Sequence, residues 1–193
     1  MNSTGVLEVI CGPMFAGKTG LLIDMVEQAA ARGNVCQVFK HVLDNRFDGS
    51  NVVTHAGRSY TAQSIDSPLA LCSSLRPDVH DIFIDEIQFF DYTMHTLCFD
   101  LVKSGKHVFV AGLDLDYRAD TFGCMPLFLS SADVVHKIAG VCEVCGGKAR
   151  FTQRITNGKS ACLYEKTIIV GLSDRYQTRC WNCFEVSKTC CER

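Results

Sequence analysis

The chain has 193 residues, 47% of them hydrophobic, and its 19 basic and 21 acidic side chains give a formal net charge of -2. This balance does not suit a protein that grips nucleic acid by its phosphates, because that role needs a basic surface. No apolar run approaches the roughly 18 residues of a membrane span, and the N-terminus lacks a signal peptide pattern. We therefore expect a cytoplasmic protein that binds a small molecule, without nucleic acid or membrane partners.

Short apolar strands alternate with helical segments before Gly140. Strands are predicted at Val6–Cys11, Val35–Phe39, Asp81–Asp85, His107–Ala111 and Ala132–Ile138. Helices are predicted at Thr19–Ala31 and Tyr92–Lys103, where apolar side chains recur with helical spacing. The polar stretch Leu43–Ala62 interrupts this alternation, and Ala56-Gly57 within it predicts a small hairpin. The pattern predicts an α/β fold whose mostly parallel sheet has helices on both faces.

The character of the sequence changes near Gly140, where paired cysteines, glycines and short strand-like runs replace the helical pattern. A glycine-rich GxxxxGK[ST] motif after the first strand and two carboxylates at the end of the third predict that residues 1–139 form a RecA-like P-loop α/β domain. The paired cysteines predict a small zinc-binding domain at residues 140–193.

A phosphate-binding loop is predicted between the first strand and the first helix, where the sequence GPMFAGKT fits GxxxxGK[ST]. Backbone N–H groups and the helix start favour phosphate there, Lys18 supplies a cation for the β- and γ-phosphates, and Thr19 can bind Mg²⁺. The residues predicted to bind the triphosphate are Gly12, Pro13, Met14, Phe15, Ala16, Gly17, Lys18 and Thr19.

Two carboxylates end the predicted strand at Asp81–Asp85. Asp85 suits the Mg²⁺ shell, and Glu86 can accept a proton from the group that attacks the γ-phosphorus. These patterns leave open whether that group is water, as in an ATPase, or a substrate hydroxyl, as in a kinase.

Four of the 12 cysteines form two CxxC pairs, namely Cys142 with Cys145 and Cys180 with Cys183. Four thiolates at this spacing predict a structural Zn²⁺ site. Five other cysteines are scattered among apolar neighbours and are predicted to be buried small hydrophobes: Cys11, Cys36, Cys72, Cys98 and Cys124. Five histidines show no ligand spacing: His41, His80, His95, His107 and His136.

Several motifs occur in the order of one family: GPMFAGKT, DNRF at residues 44–47, DEIQFF at residues 85–90, FTQR at residues 151–154, and the two CxxC pairs. The chain resembles the cellular and bacterial type of thymidine kinase over about residues 5–184. The resemblance implies that ATP phosphorylates the 5′-hydroxyl of thymidine, giving thymidine monophosphate for DNA precursor synthesis. It also implies that Glu86 is the proton acceptor, that Asp44 joins the Mg²⁺ site, and that Arg46 and Arg154 stabilise the transferring phosphoryl group.

The resemblance further implies a pyrimidine pocket covered by a loop at about Tyr164–Tyr176. The implied nucleoside-binding residues are Met14, Phe89, Leu113, Tyr117, Phe122, Thr152, Ile168, Ile169, Val170, Gly171 and Tyr176. It also implies a homotetramer that is inhibited by thymidine triphosphate. The residue patterns alone leave two other classes open: a zinc-ribbon P-loop ATPase acting on nucleic acid, and a nucleotide sensor without catalysis.

Overall fold

The computed structural model describes residues 4–44, 51–54, 57–168 and 175–187. The strands of this part of the chain are β1 Leu7–Cys11, β2 Cys36–His41, β3 Asn51–Val53, β4 Ser59–Thr61, β5 Gln63–Ile65, β6 Asp81–Asp85, β7 His107–Gly112, β8 Val134–Lys137, β9 Gly140–Val141, β10 Lys148–Ala149, β11 Phe151–Thr156, β12 Lys159–Ser160 and β13 Tyr176–Arg179. The α-helices are α1 Lys18–Ala31, α2 Pro68–Ser74, α3 Tyr92–Lys103 and α4 Met125–Ser131, and a short 3-10 helix spans Ile87–Phe89.

Six strands form the central sheet in the order β5-β2-β6-β7-β1-β8. Every neighbouring pair in it is parallel. The predicted α/β class with a mostly parallel sheet is confirmed, and the five predicted strands are present with ends shifted by at most two residues. The pattern missed β5, because only Ile65 of its three residues is apolar and buried.

Apolar side chains cover both faces of this sheet. On one face, α1 packs Leu22, Ile23 and Val26 among residues of β1, β6 and β7, where the rings of Phe83 and Phe109 stack at 4.4 Å. On the other face, the buried side chains come from α2, α3 and α4: Leu71, Met94, Cys98, Met125 and Phe128. Burial on both sides explains why the inner strands β1, β6 and β7 are largely apolar, whereas the edge strands β5 and β8 are more exposed.

The polar stretch between β2 and β5 contains the predicted hairpin. Strands β3 and β4 pair antiparallel, with Asn51 opposite Thr61 and Val53 opposite Ser59. Gly57 lies in the turn, whereas Ala56 lies outside the described residues.

Antiparallel pairing replaces parallel pairing after Gly140. Strands β9 and β10 form one hairpin, and β11 pairs with both β12 and β13. The change falls where the sequence predicted a second unit, but the division into residues 1–139 and 140–193 stays a prediction. Within the predicted substrate-covering loop, residues 169–174 lie outside the described part of the chain. Among the described residues, no helix is both long and apolar enough to cross a membrane.

Three of the five scattered cysteines are buried as predicted: Cys11, Cys98 and Cys124. Burial raises the pKa of Cys11 to about 11 and that of Cys124 to about 12, which keeps both thiols protonated. The prediction is wrong for Cys72, which is exposed on the short helix α2, and holds only in part for half-buried Cys36.

Candidate active site and metal centre

The loop after β1 passes close to Ile138, the residue that follows β8, before α1 begins. Gly12 has φ 147°, and a Cβ atom there would lie 2.3 Å from the carbonyl oxygen of Ile138, so only glycine fits. Helix α1 starts after Gly17 without a side-chain cap. The positive end of its dipole therefore lies at the loop and favours an anion there.

Lys18 and Thr19 connect this loop to its surroundings. The Lys18 ammonium is almost buried and donates a hydrogen bond to the Pro13 carbonyl oxygen at 2.7 Å, which holds the cation over the loop. The Thr19 hydroxyl donates to Asp85 Oδ2 at 2.9 Å. Residues 66 positions apart in sequence thus meet at the carboxyl edge of the sheet, as the P-loop interpretation requires.

Asp85 is in an environment that disfavours its negative charge. Burial, followed by repulsion from Glu86, raises its pKa from 3.8 to about 7, although the Thr19 hydroxyl acts in the opposite direction. Asp44 adds to the repulsion and so lies close enough to influence the site. A divalent cation would reverse these effects, and the carboxylate and hydroxyl oxygens of Asp85 and Thr19 are the hard ligands that Mg²⁺ takes.

The raised pKa of Asp85 predicts a pH dependence of stability in the absence of Mg²⁺ and nucleotide. Between the ordinary value of 3.8 and about 7, the folded protein keeps a proton that the unfolded chain releases. The free energy of unfolding should therefore fall as pH rises through this window, and Asp85→Asn should flatten that slope. Urea denaturation at several pH values measures it.

Asp120→Asn, which removes an exposed carboxylate, serves as the control for this slope. Equal slopes in the Asp85→Asn variant and the native protein would contradict the assignment.

Glu86, the candidate proton acceptor, follows β6 in a left-handed backbone conformation with φ 55°. Such a conformation is uncommon for a residue other than glycine, and strain of this kind is concentrated at functional sites. Only 8% of Glu86 is exposed, and its Oε2 accepts a hydrogen bond from the Gln88 amide at 2.5 Å. The carboxylate is thus adjacent to Asp85 and oriented by a neighbour.

Gln88 is a site residue that the sequence reasoning missed. Its Oε1 accepts a hydrogen bond from the Leu113 N–H at 3.0 Å while its amide holds Glu86. A Cβ atom on Gly112 would lie 2.3 Å from the same Oε1, so the end of β7 must be glycine for this contact to form. The signal in the sequence was a glutamine two residues after the predicted base.

The structure brings several of the predicted nucleoside-binding residues into pairwise contact. The rings of Phe89 and Phe122 meet edge to face at 5.9 Å, and the Met14 N–H donates to the Thr152 hydroxyl at 3.0 Å. The second contact joins the phosphate loop to β11, and therefore to the antiparallel strands. His41, which the sequence reasoning set aside, contributes a ring 5.8 Å from that of Phe89.

Arg154 joins Tyr117 and Tyr176. It is 1% exposed, and its guanidinium lies 3.9 Å from the centre of the Tyr117 ring. Its Nε and Nη2 donate to the Tyr176 hydroxyl at 3.0 and 2.7 Å, and its Nη1 and Nη2 also donate to the carbonyl oxygens of Lys166 and Thr167. The Tyr117 hydroxyl in turn donates to the Cys162 carbonyl at 2.8 Å. Arg154 thus connects the two described segments of the predicted substrate-covering loop, one containing Lys166 and Thr167 and the other containing Tyr176.

The remaining predicted site residues are placed only in part. Ile168 is described and 42% exposed. Arg46, Ile169, Val170 and Gly171 lie outside the described residues, so their roles stay predictions.

The two CxxC pairs converge into one cluster. Their four sulfur atoms lie within 4.8 Å of one another, and the Sγ atoms of Cys145 and Cys180 are 3.6 Å apart. Zn–S bonds of about 2.3 Å in a tetrahedron place sulfur atoms about 3.8 Å apart. Although burial opposes it, hydrogen bonds lower the pKa of Cys142 to about 6 and also lower that of Cys180. Hydrogen bonds with the neighbouring thiols raise the pKa of Cys183 to about 12, and the pKa of Cys145 is raised in the same way although the Gly147 N–H opposes it. The spacing of the four sulfur atoms therefore carries the interpretation, and it fits a tetrahedral zinc ion.

The sequence comparisons agree with this geometry. A family model described as thymidine kinase matches residues 5–184. A thymidine kinase from Deinococcus deserti is 40% identical over 190 residues, which cover 92% of this chain and 93% of the relative.

Proposed function

Because the chain belongs to the thymidine kinase family, we propose that it transfers the γ-phosphate of ATP to the 5′-hydroxyl of thymidine with Glu86 as the proton acceptor. The observation that carries this assignment is the position of Glu86. Glu86 directly follows Asp85, and the Gln88 amide holds its carboxylate by a hydrogen bond. Asp85 in turn accepts a hydrogen bond from Thr19 of the phosphate loop. A base there can take the proton of a hydroxyl that attacks the γ-phosphorus.

The phosphate loop binds the donor in this proposal. The backbone N–H groups at the start of α1 bind the triphosphate, and the Lys18 ammonium exchanges its contact with the Pro13 carbonyl for phosphate oxygens. Thr19 and Asp85, with Asp44 nearby, would hold Mg²⁺, which neutralises charge on the β- and γ-phosphate oxygens when bound.

The acceptor site lies between the phosphate loop and the antiparallel strands. Phe89 and Phe122 offer aromatic faces to a pyrimidine, and Met14, joined to Thr152, lets the loop contact acceptor as well as donor. The backbone at Ile168, Ile169, Val170 and Gly171 would satisfy the edges of the base, as the family resemblance implies.

Arg154 acts in this proposal as a positioning residue, since its N–H groups are engaged by Tyr176 and by the carbonyls of Lys166 and Thr167. Arg154→Lys keeps the charge but loses the planar fork. We expect both Arg154→Lys and Arg154→Met to lower kcat/KM for thymidine about tenfold to a hundredfold, mainly through KM, because charged hydrogen bonds contribute about 1.5–3 kcal/mol.

Steady-state kinetics with thymidine and ATP varied in turn distinguishes this role from charge stabilisation. If Arg154 stabilises the transferring phosphoryl group instead, Arg154→Lys should retain most of kcat while Arg154→Met loses it. Arg76→Lys, at an exposed ion pair with Asp78, is the matched control.

A panel of nucleosides incubated with purified protein and Mg-ATP tests the function. Thymidine should be converted to its 5′-monophosphate, with purine nucleosides unchanged. Absence of thymidine monophosphate, together with ATP hydrolysis stimulated by DNA, would contradict the proposal and favour a zinc-ribbon P-loop ATPase acting on nucleic acid.

Three further features of the proposal rest on family resemblance: a homotetramer, inhibition by thymidine triphosphate, and a cytoplasmic location in nucleoside salvage. Native mass spectrometry tests the assembly, and titration of the assay with thymidine triphosphate tests the inhibition.

A further inference from the structure

Two histidines and an aspartate meet at the amino ends of β6 and β7, the edge of the central sheet opposite the candidate active site. Asp81 begins β6, His80 precedes it, and His107 begins β7 in register with Asp81. One ligand atom of each residue lies within 4.8 Å of the others. The spacing of His80 and His107 in the sequence indicates no ligand pair, and the register of β6 and β7 brings the two side chains together.

One oxygen of Asp81 faces both imidazole rings. Its Oδ1 lies 2.5 Å from His80 Nδ1 and 3.7 Å from His107 Nδ1, while its Oδ2 accepts a hydrogen bond from the Asn34 amide at 2.8 Å. In a tetrahedral site with bonds of about 2.0–2.1 Å, ligand atoms are about 3.3 Å apart. The two observed separations lie on either side of that value, so small side-chain rotations would suffice to admit an ion.

Asp81 is a nearly buried carboxylate, with its side chain 1% exposed. Within the described residues it forms no ion pair with a lysine or arginine. Lys106, beside His107, directs its ammonium to the Val79 carbonyl oxygen at 2.5 Å. A buried carboxylate is costly unless its charge is compensated, and a bound cation would provide that compensation.

The backbone holds the three residues in place without a metal ion. The N–H groups of His80 and Asp81 both donate to the Val35 carbonyl oxygen, at 2.9 and 3.2 Å, and the His107 N–H donates to the His80 carbonyl at 3.0 Å. The side chains of His80 and His107 remain 44% and 31% exposed, which leaves access for an entering ion and for water. Little ordering would therefore be needed on binding.

We propose that His80, Asp81 and His107 form a second metal site, which binds a divalent transition-metal ion such as Zn²⁺ with water completing its coordination. Two imidazoles and one carboxylate suit zinc, copper or nickel rather than Mg²⁺ or Ca²⁺. The ion would join the amino ends of β6 and β7, and the site does not depend on the proposed kinase activity.

Calorimetric titration of Zn²⁺ into protein that already carries one zinc ion per chain in the four-cysteine cluster tests this site. The native protein should show a further binding event with a stoichiometry of one. His107→Ala should weaken it at least about tenfold, since even substitutions behind the ligands cost about 10–100-fold in metal affinity. NMR of the imidazole nitrogens should show zinc-dependent shifts for His80 and His107.

The matched control is His136→Ala, which removes a different histidine hydrogen-bonded to a carboxylate, that of Glu8 at 2.8 Å. Its zinc binding should equal that of the native protein. Asp81→Asn provides an isosteric second variant should His107→Ala fold poorly, and it should also weaken the event. The proposal would be overturned if the native protein bound no second zinc ion, or if His107→Ala and Asp81→Asn both bound it as tightly as the native protein does.

Discussion

Replacing Glu86 with glutamine should lower the turnover number for thymidine phosphorylation about a hundredfold or more, because a positioned general base contributes roughly 10²–10⁴-fold to rate. The glutamine side chain has nearly the same shape but cannot accept the proton of the 5′-hydroxyl. It can still form a hydrogen bond with Gln88, so the contact of Gln88 with the Leu113 N–H should survive. Single-turnover phosphate transfer measures the chemical step directly.

Two measurements make the Glu86→Gln result specific to proton transfer. Calorimetric titration with Mg-ATP should give unchanged affinity, since the phosphate loop and its contact between Thr19 and Asp85 are retained. Glu27→Gln, which removes a half-exposed carboxylate from α1, should keep normal turnover. Turnover of Glu86→Gln within a few fold of the native value would show that another group accepts the proton.

We propose that the four-cysteine cluster holds a structural zinc ion, so replacing Cys145 with serine should remove this ion and disorder the antiparallel strands around it. Structural zinc contributes about 10–16 kcal/mol to the folding of zinc-finger peptides, which is more than short hairpins such as β9–β10 supply by themselves. The zinc content measured after dialysis against a moderate chelator should be about one ion per chain in the native protein and near zero in Cys145→Ser. Activity should fall with it, because Thr152 on β11 contacts the phosphate loop.

The single tryptophan of the chain offers a local readout of this change. Trp181 lies between Cys180 and Cys183, and its ring packs edge to face on Phe151 at 4.6 Å. Because Trp181 is already 76% exposed, loss of its contact with Phe151 in Cys145→Ser should lower its fluorescence anisotropy with little shift in wavelength. Cys72→Ser, at an exposed cysteine outside the cluster, should keep both the zinc content and the anisotropy. Full zinc content in Cys145→Ser would refute the four-thiolate site.

Local patterns predicted the parts of the protein whose chemistry lies in consecutive residues. The loop from Gly12 to Thr19 carries its own turn and its own cation, and it is followed directly by the helix that completes it. Each CxxC pair likewise brings two thiolates together within one turn. The convergence of the two pairs was predictable only because four thiolates at this spacing have one common use.

Contacts between residues that are far apart in the sequence were not predictable from local patterns. Gln88 can contact both Glu86 and the Leu113 N–H because β7 ends beside it at Gly112. These contacts depend on how β6 and β7 align. Strand β5 escaped notice because it is short and polar, so its place at the sheet edge is decided by pairing with β2 rather than by its own periodicity.

The sequence by itself therefore determined the α/β class, and it identified the phosphate-loop motif, the candidate base Glu86 and the candidate zinc ligands, because each depends on local spacing. Only the tertiary structure decided which distant side chains meet. Strand register places His107 against Asp81, and the pairing of β11 with β13 sets Arg154 opposite Tyr176. Periodicity specifies which face a residue occupies but not its partner across the sheet, so these contacts emerge only when the strands are aligned.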